Sequence, residues 1–350
     1  MDFMDFTFGV EIECYKLAVR STQEIADAIS LAGCPCQTET YNHFTRPHWK
    51  LVSDGSLDDY TNGIEIVSPV LRGTAGLDAV VTVCRTLEAL GCAVTRNNRC
   101  GLHVHVGVGA SPSMDFFKRL FKFYAKYEPI IDAFMPKSRR ASNNNYCRTI
   151  TNVDFDRVDR ATSLTGITDL TCDPQIQGSG PTSRNDVRYH KLNLAAYRKH
   201  QTVEYRQHSG TLDGLKARYW TMFCLRMTAF AASALPMPVA SAAPMNAARQ
   251  SSKIHIVGDL LLRPEGCTQA EALAATGWQK ISMVYAARAC GLTITSERTG
   301  RITRYYAVHA PHDTRPATLD TLMDLLQCSP AEAQYFRERT ARFARQLARE

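Results

Sequence analysis

The sequence predicts an α+β chain with a large domain over residues 1–234, an Ala/Pro-rich linker over 235–252, a small winged helix-turn-helix domain over 253–310 and a helical tail over 311–350. Three observations predict it. Short runs of period-2 alternation, such as Phe6-Thr-Phe-Gly-Val-Glu-Ile-Glu-Cys14, recur between stretches with apolar residues at helical spacing. From Met227 to Ala248 no residue is charged, and Pro236, Pro238 and Pro244 interrupt the run, which marks a helix end and a linker rather than a membrane span. After that linker the order helix, helix, turn, helix, ribbon is the outline of a winged helix-turn-helix.

The first strand is followed by a short helix over Thr22 to Ala32, begun by a Ser or Thr cap. Lys50 to Leu57 and Gly63 to Pro69 read as extended segments around a turn, the second ended by its proline. Leu77 to Leu90 has helical spacing and stops at Gly91. Cys92 to Thr95 and Leu102 to Gly107 are the next strands, and Ser113 to Phe134 is a long amphipathic helix. Residues 136 to 188 lose all periodicity, and a long excursion of that kind inside a compact domain is more often functional than idle. Leu192 to Leu194 and Thr202 to His208 return to strand, and Leu215 to Ala234 is a helix. Beyond the linker, helices over Ile254 to Leu262, Gln269 to Ala275 and Lys280 to Ala289 precede a hairpin turning at Thr299-Gly300. Ser329 and Glu332 form a capping box that starts a last helix.

With 45% hydrophobic and 21% charged residues over 350 positions, the composition excludes wholesale disorder, collagen-like repeats and coiled-coil arrays. The net charge of +7 permits anionic partners without identifying them, and no segment is a polybasic arm. The start, Met1-Asp-Phe-Met-Asp5, lacks the basic and apolar regions of a secretory signal, so a cytoplasmic protein without a membrane partner is expected. Twelve cysteines show neither Cys-x-x-Cys nor zinc-finger spacing, so the thiols should be reduced and structural zinc is not expected. The Walker loop is missing, and Gly107-Val-Gly109 lacks the third glycine of a dinucleotide fingerprint.

Ionisable residues inside apolar strands carry the chemistry. Because strand side chains alternate, Glu11 and Glu13 share a face, His103 and His105 share another, and Glu204, Arg206 and His208 a third. A carboxylate flanked by Val10, Ile12, Val203 or Tyr205 is costly to bury unless a metal or an arginine receives it, and Glu65 between Ile64 and Ile66 has the same character. Oxygen-rich ligands with one imidazole suit a hard cation, Mg²⁺ or Mn²⁺, rather than Zn²⁺.

Gly9-Val-Glu-Ile-Glu13, Asp54-Gly-Ser-Leu57, Glu65-Ile-Val-Ser-Pro69, Cys100-Gly-Leu-His-Val-His-Val-Gly107, Asn193 and Thr202-Val-Glu-Tyr-Arg-Gln-His-Ser-Gly-Thr-Leu212 together resemble the amidoligase family over roughly residues 6 to 234. That family belongs to the carboxylate-amine ligases related to glutamine synthetase and glutamate-cysteine ligase. The resemblance implies an antiparallel sheet whose concave face binds ATP and Mg²⁺, with helices on the other side. It implies Glu11, Glu13, Glu65, His103 and Glu204 as metal ligands, and Glu65, Glu204 and Arg206 as the catalytic groups. It further implies that His105, Arg206 and Arg148 meet the nucleotide, and that Arg139, Asn145, Tyr146, Asn193 and His208 lie near substrate. The substrates implied are a small-molecule or peptide carboxylate and an amine, joined through an acyl phosphate without a dedicated nucleophile. A homo-oligomer is left open.

The segment from Gly266 to Tyr306 is similar to a winged-helix family of bacterial and phage proteins. Its net charge, +3 over residues 252–310, and the placement of Lys280, Arg288, Arg298, Arg301 and Arg304 on the proposed recognition helix and wing suit DNA phosphates. A protein-binding module with a solvated basic rim is the alternative, and Trp278 and Tyr305 are expected in its core. Two rival functions are a metal-dependent hydrolase using His103 and His105 with ligands from His190, His200 and His208, and a non-catalytic DNA-binding regulator.

Overall fold

The computed structural model describes residues 2–53, 57, 62–94, 99–151, 153–171, 186–233, 253–263, 265–289, 292–300, 302–309 and 317–347. The chain divides into two units, Met1–Leu235 together with Ala317–Glu350, and Pro236–Pro316.

The first unit contains β1 (Thr7–Tyr15), α1 (Thr22–Leu31), β2 (Cys36–Thr38), β3 (Trp49–Ser53), β4 (Gly63–Val67), β5 (Leu71–Arg72), α2 (Gly73–Ala89), β6 (Gly101–Gly107) and α3 (Met114–Ala133). The short helices α4 (Phe155–Arg160) and α5 (Leu164–Thr168) follow, within the excursion, and then β7 (Leu192–Asn193), α6 (Tyr197–His200), β8 (Thr202–Ser209) and α7 (Gly214–Ala232). The sheet order is β2-β3-β4-β1-β6-β8-β7, with β5 paired to β1. Every pairing is antiparallel except β2 with β3.

Local chemistry accounts for these elements. Ser21 and Glu24 make the reciprocal cap that starts α1, at 2.7 and 3.1 Å. Ser113 caps α3, and α2 gives way to Gly91, whose φ of +79° suits the turn there. The helix-facing row of β1, Val10, Ile12 and Cys14, is buried with Ile64, Ile66, Leu102, Val104 and Val106 of its neighbours. Tyr205 of β8 bonds Thr228 of α7 and packs on Tyr124 of α3, so the helices cover this face. Lys191, fully buried, inserts its ammonium between Glu128 at 2.7 Å and Asp132 at 2.6 Å on α3.

Two expectations change, and a third falls largely outside the described residues. The segment at Cys92 to Thr95 is not a ladder strand: Ala93 makes a single bridge to Tyr15, and Thr95 lies outside the described residues. Of Asp54 to Leu57, only Leu57 is described. The face shared by Glu204, Arg206 and His208 is broken by an irregularity in the ladder. Val104 pairs with Tyr205 and Leu102 with His208, so both Arg206 and Gln207 stand against His103. One extra residue reverses the alternation beyond it, and His208 lands on the helix side, 5.4 Å from the Trp220 ring.

After the second unit the chain returns to the first as α11 (Leu319–Leu325) and α12 (Pro330–Leu347). Glu332 takes Arg226 of α7 at 2.9 and 3.0 Å, and Phe336 packs on Phe134 and Phe223. The second unit comprises α8 (Lys253–Leu261), β9 (Cys267–Thr268), α9 (Gln269–Thr276), α10 (Met283–Ala289), β10 (Leu292–Thr299) and β11 (Ile302–His309). Its strands form a sheet in the order β10-β11-β9, and its core holds Val257, Leu261, Ala272, Met283 and Ala286, with Trp278 and Tyr305 packed against it. No described helix is long and apolar enough to cross a membrane.

Candidate active site

The face of the sheet opposite the helices carries the charged residues in rows set by the ladder. Lys50 pairs with Val67, Val67 with Glu11 and Glu11 with His103. Glu65 pairs with Glu13, and Glu204 with both His105 and Asn193. These residues line one cavity of about 540 Å³, within the range of small-molecule sites.

In the middle row Glu11 Oε2 lies 3.0 Å and Glu204 Oε1 3.8 Å from His103 Nδ1. The other imidazole nitrogen of His103 lies 3.8 Å from Glu13 Oε1, and Glu13 Oε2 accepts the Gly101 N–H at 2.6 Å. Glycine is needed there because a Cβ would stand 2.6 Å from His103 Nε2. Glu204 accepts from Asn193 Nδ2 at 2.6 Å and from Arg206 Nη1, while Arg206 Nε donates to the Tyr146 carbonyl at 3.1 Å. His105 Nδ1 and Thr202 Oγ1 are hydrogen-bonded at 3.1 Å, and the buried Nε2 lies 3.3 Å from Glu11 Oε1.

Neighbouring charges favour the ionised forms of Glu11, Glu204, His105 and Arg206 against the cost of burial. Burial alone would raise the Glu11 and Glu204 carboxyls, but His105 and His103 pull Glu11 well below the ordinary range, and Arg206 and His105 lower Glu204. Burial opposes the His105 imidazolium, and the charges of Glu204 and Glu11 outweigh it and raise its pKa. Arg206, likewise buried, is held above its usual value by Glu204 and Glu11.

Glu11, His103 and Glu204 each offer one ligand atom within 4.8 Å of the others. Two carboxylates and an imidazole form a donor set that fits Mg²⁺ or Mn²⁺, which take oxygen ligands and retain water.

A family model described as "Putative amidoligase enzyme" matches residues 4–228. The chain belongs to the amidoligase family. The amidoligase is similar in fold search to glutamine synthetase of Plasmodium falciparum, at 12% identity and a TM-score of 0.37, over 98% of this chain and 72% of that one. A search of curated proteins found no match. The family makes the amidoligase a ligase, built on a mostly antiparallel sheet with helices.

The cavity brings together Glu11, Glu13, Glu65, His103, His105, Arg139, Tyr146, Asn193, Glu204 and Arg206. Arg139 reaches it from a buried position, its guanidinium donating to the Cys100 carbonyl at 2.6 Å. Three expected residues are not in the lining. Asn145 is exposed on the excursion; Arg148 is buried and donates to the Asp186 carbonyl at 2.8 Å; His208 was turned away by the ladder irregularity. In the second unit Lys280 and Arg298 are exposed, Arg304 bonds Glu271 at 3.2 Å, and the Arg288 side chain and Arg301 lie outside the described residues.

The structure adds Lys50, His43 and Lys199 to the lining and also places there His200, which the hydrolase reading names. Lys50 stands between Trp49 and Leu51, so the test that singled out the strand glutamates, an ionisable group flanked by apolar ones, also finds it. His43 and Lys199 come from segments without strand periodicity and leave no such signal.

Proposed function

We propose that this amidoligase condenses a small-molecule or peptide carboxylate with an amine, driven by ATP and with Mg²⁺ or Mn²⁺ as cofactor, through an acyl phosphate. The observation that carries the reading is the convergence of Glu11, His103 and Glu204 within 4.8 Å, with Arg206 bonded to Glu204. A carboxylate does not condense with an amine in water unless it is activated. One of its oxygens attacks the γ-phosphorus, the bond to the β-phosphate bridging oxygen breaks, and ADP leaves. The amine nitrogen then attacks the acyl carbon, expels phosphate and loses a proton.

Glu11, His103 and Glu204 would hold the cation, and Glu65 and Glu13 extend the acidic lining around it. When bound, the cation neutralises the polyphosphate and aligns the in-line transfer. Arg206 is suited to donate to oxygens of the transferred group once substrate separates it from Glu204, and His105 Nε2, when protonated, to another phosphate oxygen. Asn193 fixes the Glu204 carboxylate, and the Tyr146 carbonyl aims the Arg206 fork. The hydrolase reading has less support, because of its three further histidines only His200 lines the cavity, while His208 packs on Trp220 and His190 is not in the lining.

The test is ADP release by purified protein across a panel of amines, amino acids and nucleic acids. Release that needs one acid–amine pair and disappears in Glu11→Ala supports the ligase; release that persists in that variant refutes the site.

We also propose that the second unit is a winged helix that brings the ligase to duplex DNA. Its support is the element order α8-β9-α9-α10-β10-β11 and the exposed Lys280 and Arg298. Binding of the full chain to duplex DNA that weakens steeply with salt is the expected result; no binding at low ionic strength leaves the protein-partner reading.

A further inference from the structure

The rim of the cavity carries a second built surface. Residues 39–48 leave the sheet between β2 and β3 and are tied from two sides. Glu39 accepts from Arg46 Nε and Nη2 at 3.0 Å, and from Asn42 Nδ2 at 2.8 Å. From below, the buried Lys50 ammonium donates to the Asn42 carbonyl at 2.9 Å, to Asn42 Oδ1 at 3.0 Å and to the Phe44 carbonyl at 2.9 Å. All three protons of the ammonium thus have acceptors on this one loop.

The clasp carries aromatic rings at the cavity rim. Tyr41 is 57% and Phe44 67% exposed. The rings of Tyr41 and His43 meet edge to face at 5.1 Å, and the Arg46 guanidinium stands 5.5 Å from the Phe44 ring centroid. Tyr41, His43 and Phe44 all line the cavity that holds Glu11, His103 and Glu204. Exposed rings at a cavity mouth, carried on a loop whose backbone is tied down, offer faces to a flat partner.

The ladder supplies the spacing. Lys50 and Glu11 share a row and are separated by the single strand β4. Two strand spacings put the base of the clasp roughly 10 Å from the metal-binding acids. That is the reach of a ribose and its phosphates.

We infer that Tyr41, His43 and Phe44 form the subsite for the base of the nucleotide, and that Lys50 is the positioning residue that holds them in place. The inference rests on the ATP-dependent reading above. Stacking on Tyr41 or Phe44 tolerates any nucleobase in kind, since every base has a π face.

Calorimetric titration of the full chain, in Mg²⁺, with ATP and with inorganic tripolyphosphate separates the two claims. The wild type is expected to bind ATP at least about tenfold more tightly than tripolyphosphate, the scale of one base-stacking contact. Tyr41→Ala and Phe44→Ala change exposed side chains and leave the core intact. Each should lose roughly tenfold in ATP affinity and none for tripolyphosphate. Lys50→Met should weaken ATP binding in the same titration and leave tripolyphosphate binding unchanged. Unchanged ATP affinity in both alanine variants, or equal affinity of the wild type for ATP and tripolyphosphate, overturns the subsite. A wild type that binds neither ligand removes the ligase reading together with it.

Discussion

Glu11 on β1 and His103 on β6 occupy the same register position on neighbouring strands, and their side chains meet at 3.0 Å between Oε2 and Nδ1. The pair is central to the donor set because Glu204 reaches the same imidazole nitrogen from β8 on the other flank. Three strands far apart in the sequence thereby supply one ligand atom each.

Glu11→Gln and Glu204→Gln keep the shape of the site and remove one negative charge each. Either should reduce ADP release by about 10²- to 10³-fold, the cost of losing one preorganised electrostatic contact in a dry site. The melting temperature without Mg²⁺ or nucleotide should also fall, since each change takes away a carboxylate that answers the buried His105 and Arg206 cations. Steady-state ADP assays paired with thermal melts check both statements.

Gly101→Ala places a methyl group 2.6 Å from His103 Nε2. The imidazole must shift, and the expected loss is about tenfold in divalent-ion affinity, as for removal of a supporting contact. A Mn²⁺ titration of the variant measures it.

Lys191→Met removes the ammonium that answers Glu128 and Asp132 behind the sheet. Breaking one partner of a buried ion pair leaves an unanswered charge, and about 3 to 5 kcal/mol of stability should be lost. Urea unfolding followed by circular dichroism reads this directly.

Deleting residues 317–350 uncovers Phe134 and Phe223, which Phe336 packs against, and leaves Arg226 without Glu332. The shortened chain should melt lower than the full chain and bind a hydrophobic dye. Arg226→Met in the full chain should show a smaller loss with the same sign.

Much of the site was legible because sheet alternation is a local rule. Glu11 and Glu13, and likewise His103 and His105, reach the cavity as period-2 spacing requires, and the Ser or Thr cap of the first helix and the capping box at Ser329 mark helix starts that the structure contains. His208 was misread because one extra residue against His103 reverses the face, and nothing in Tyr205-Arg-Gln-His208 announces it. The rim loop was missed for a different reason. Its conformation depends on Lys50 reaching back to carbonyls of Asn42 and Phe44, a contact that follows from tertiary placement and has no period. The return of the C-terminal helices to the first unit is likewise written in a few long-range contacts, chiefly that of Arg226 with Glu332, rather than in any local pattern.

The most direct measurement is electron paramagnetic resonance of Mn²⁺ titrated into the full chain, wild type and Glu11→Gln, with and without ATP. The account predicts that the wild type takes up Mn²⁺, more tightly when ATP is present, and that Glu11→Gln loses at least about tenfold of that affinity. Equal Mn²⁺ uptake by the two proteins would contradict it.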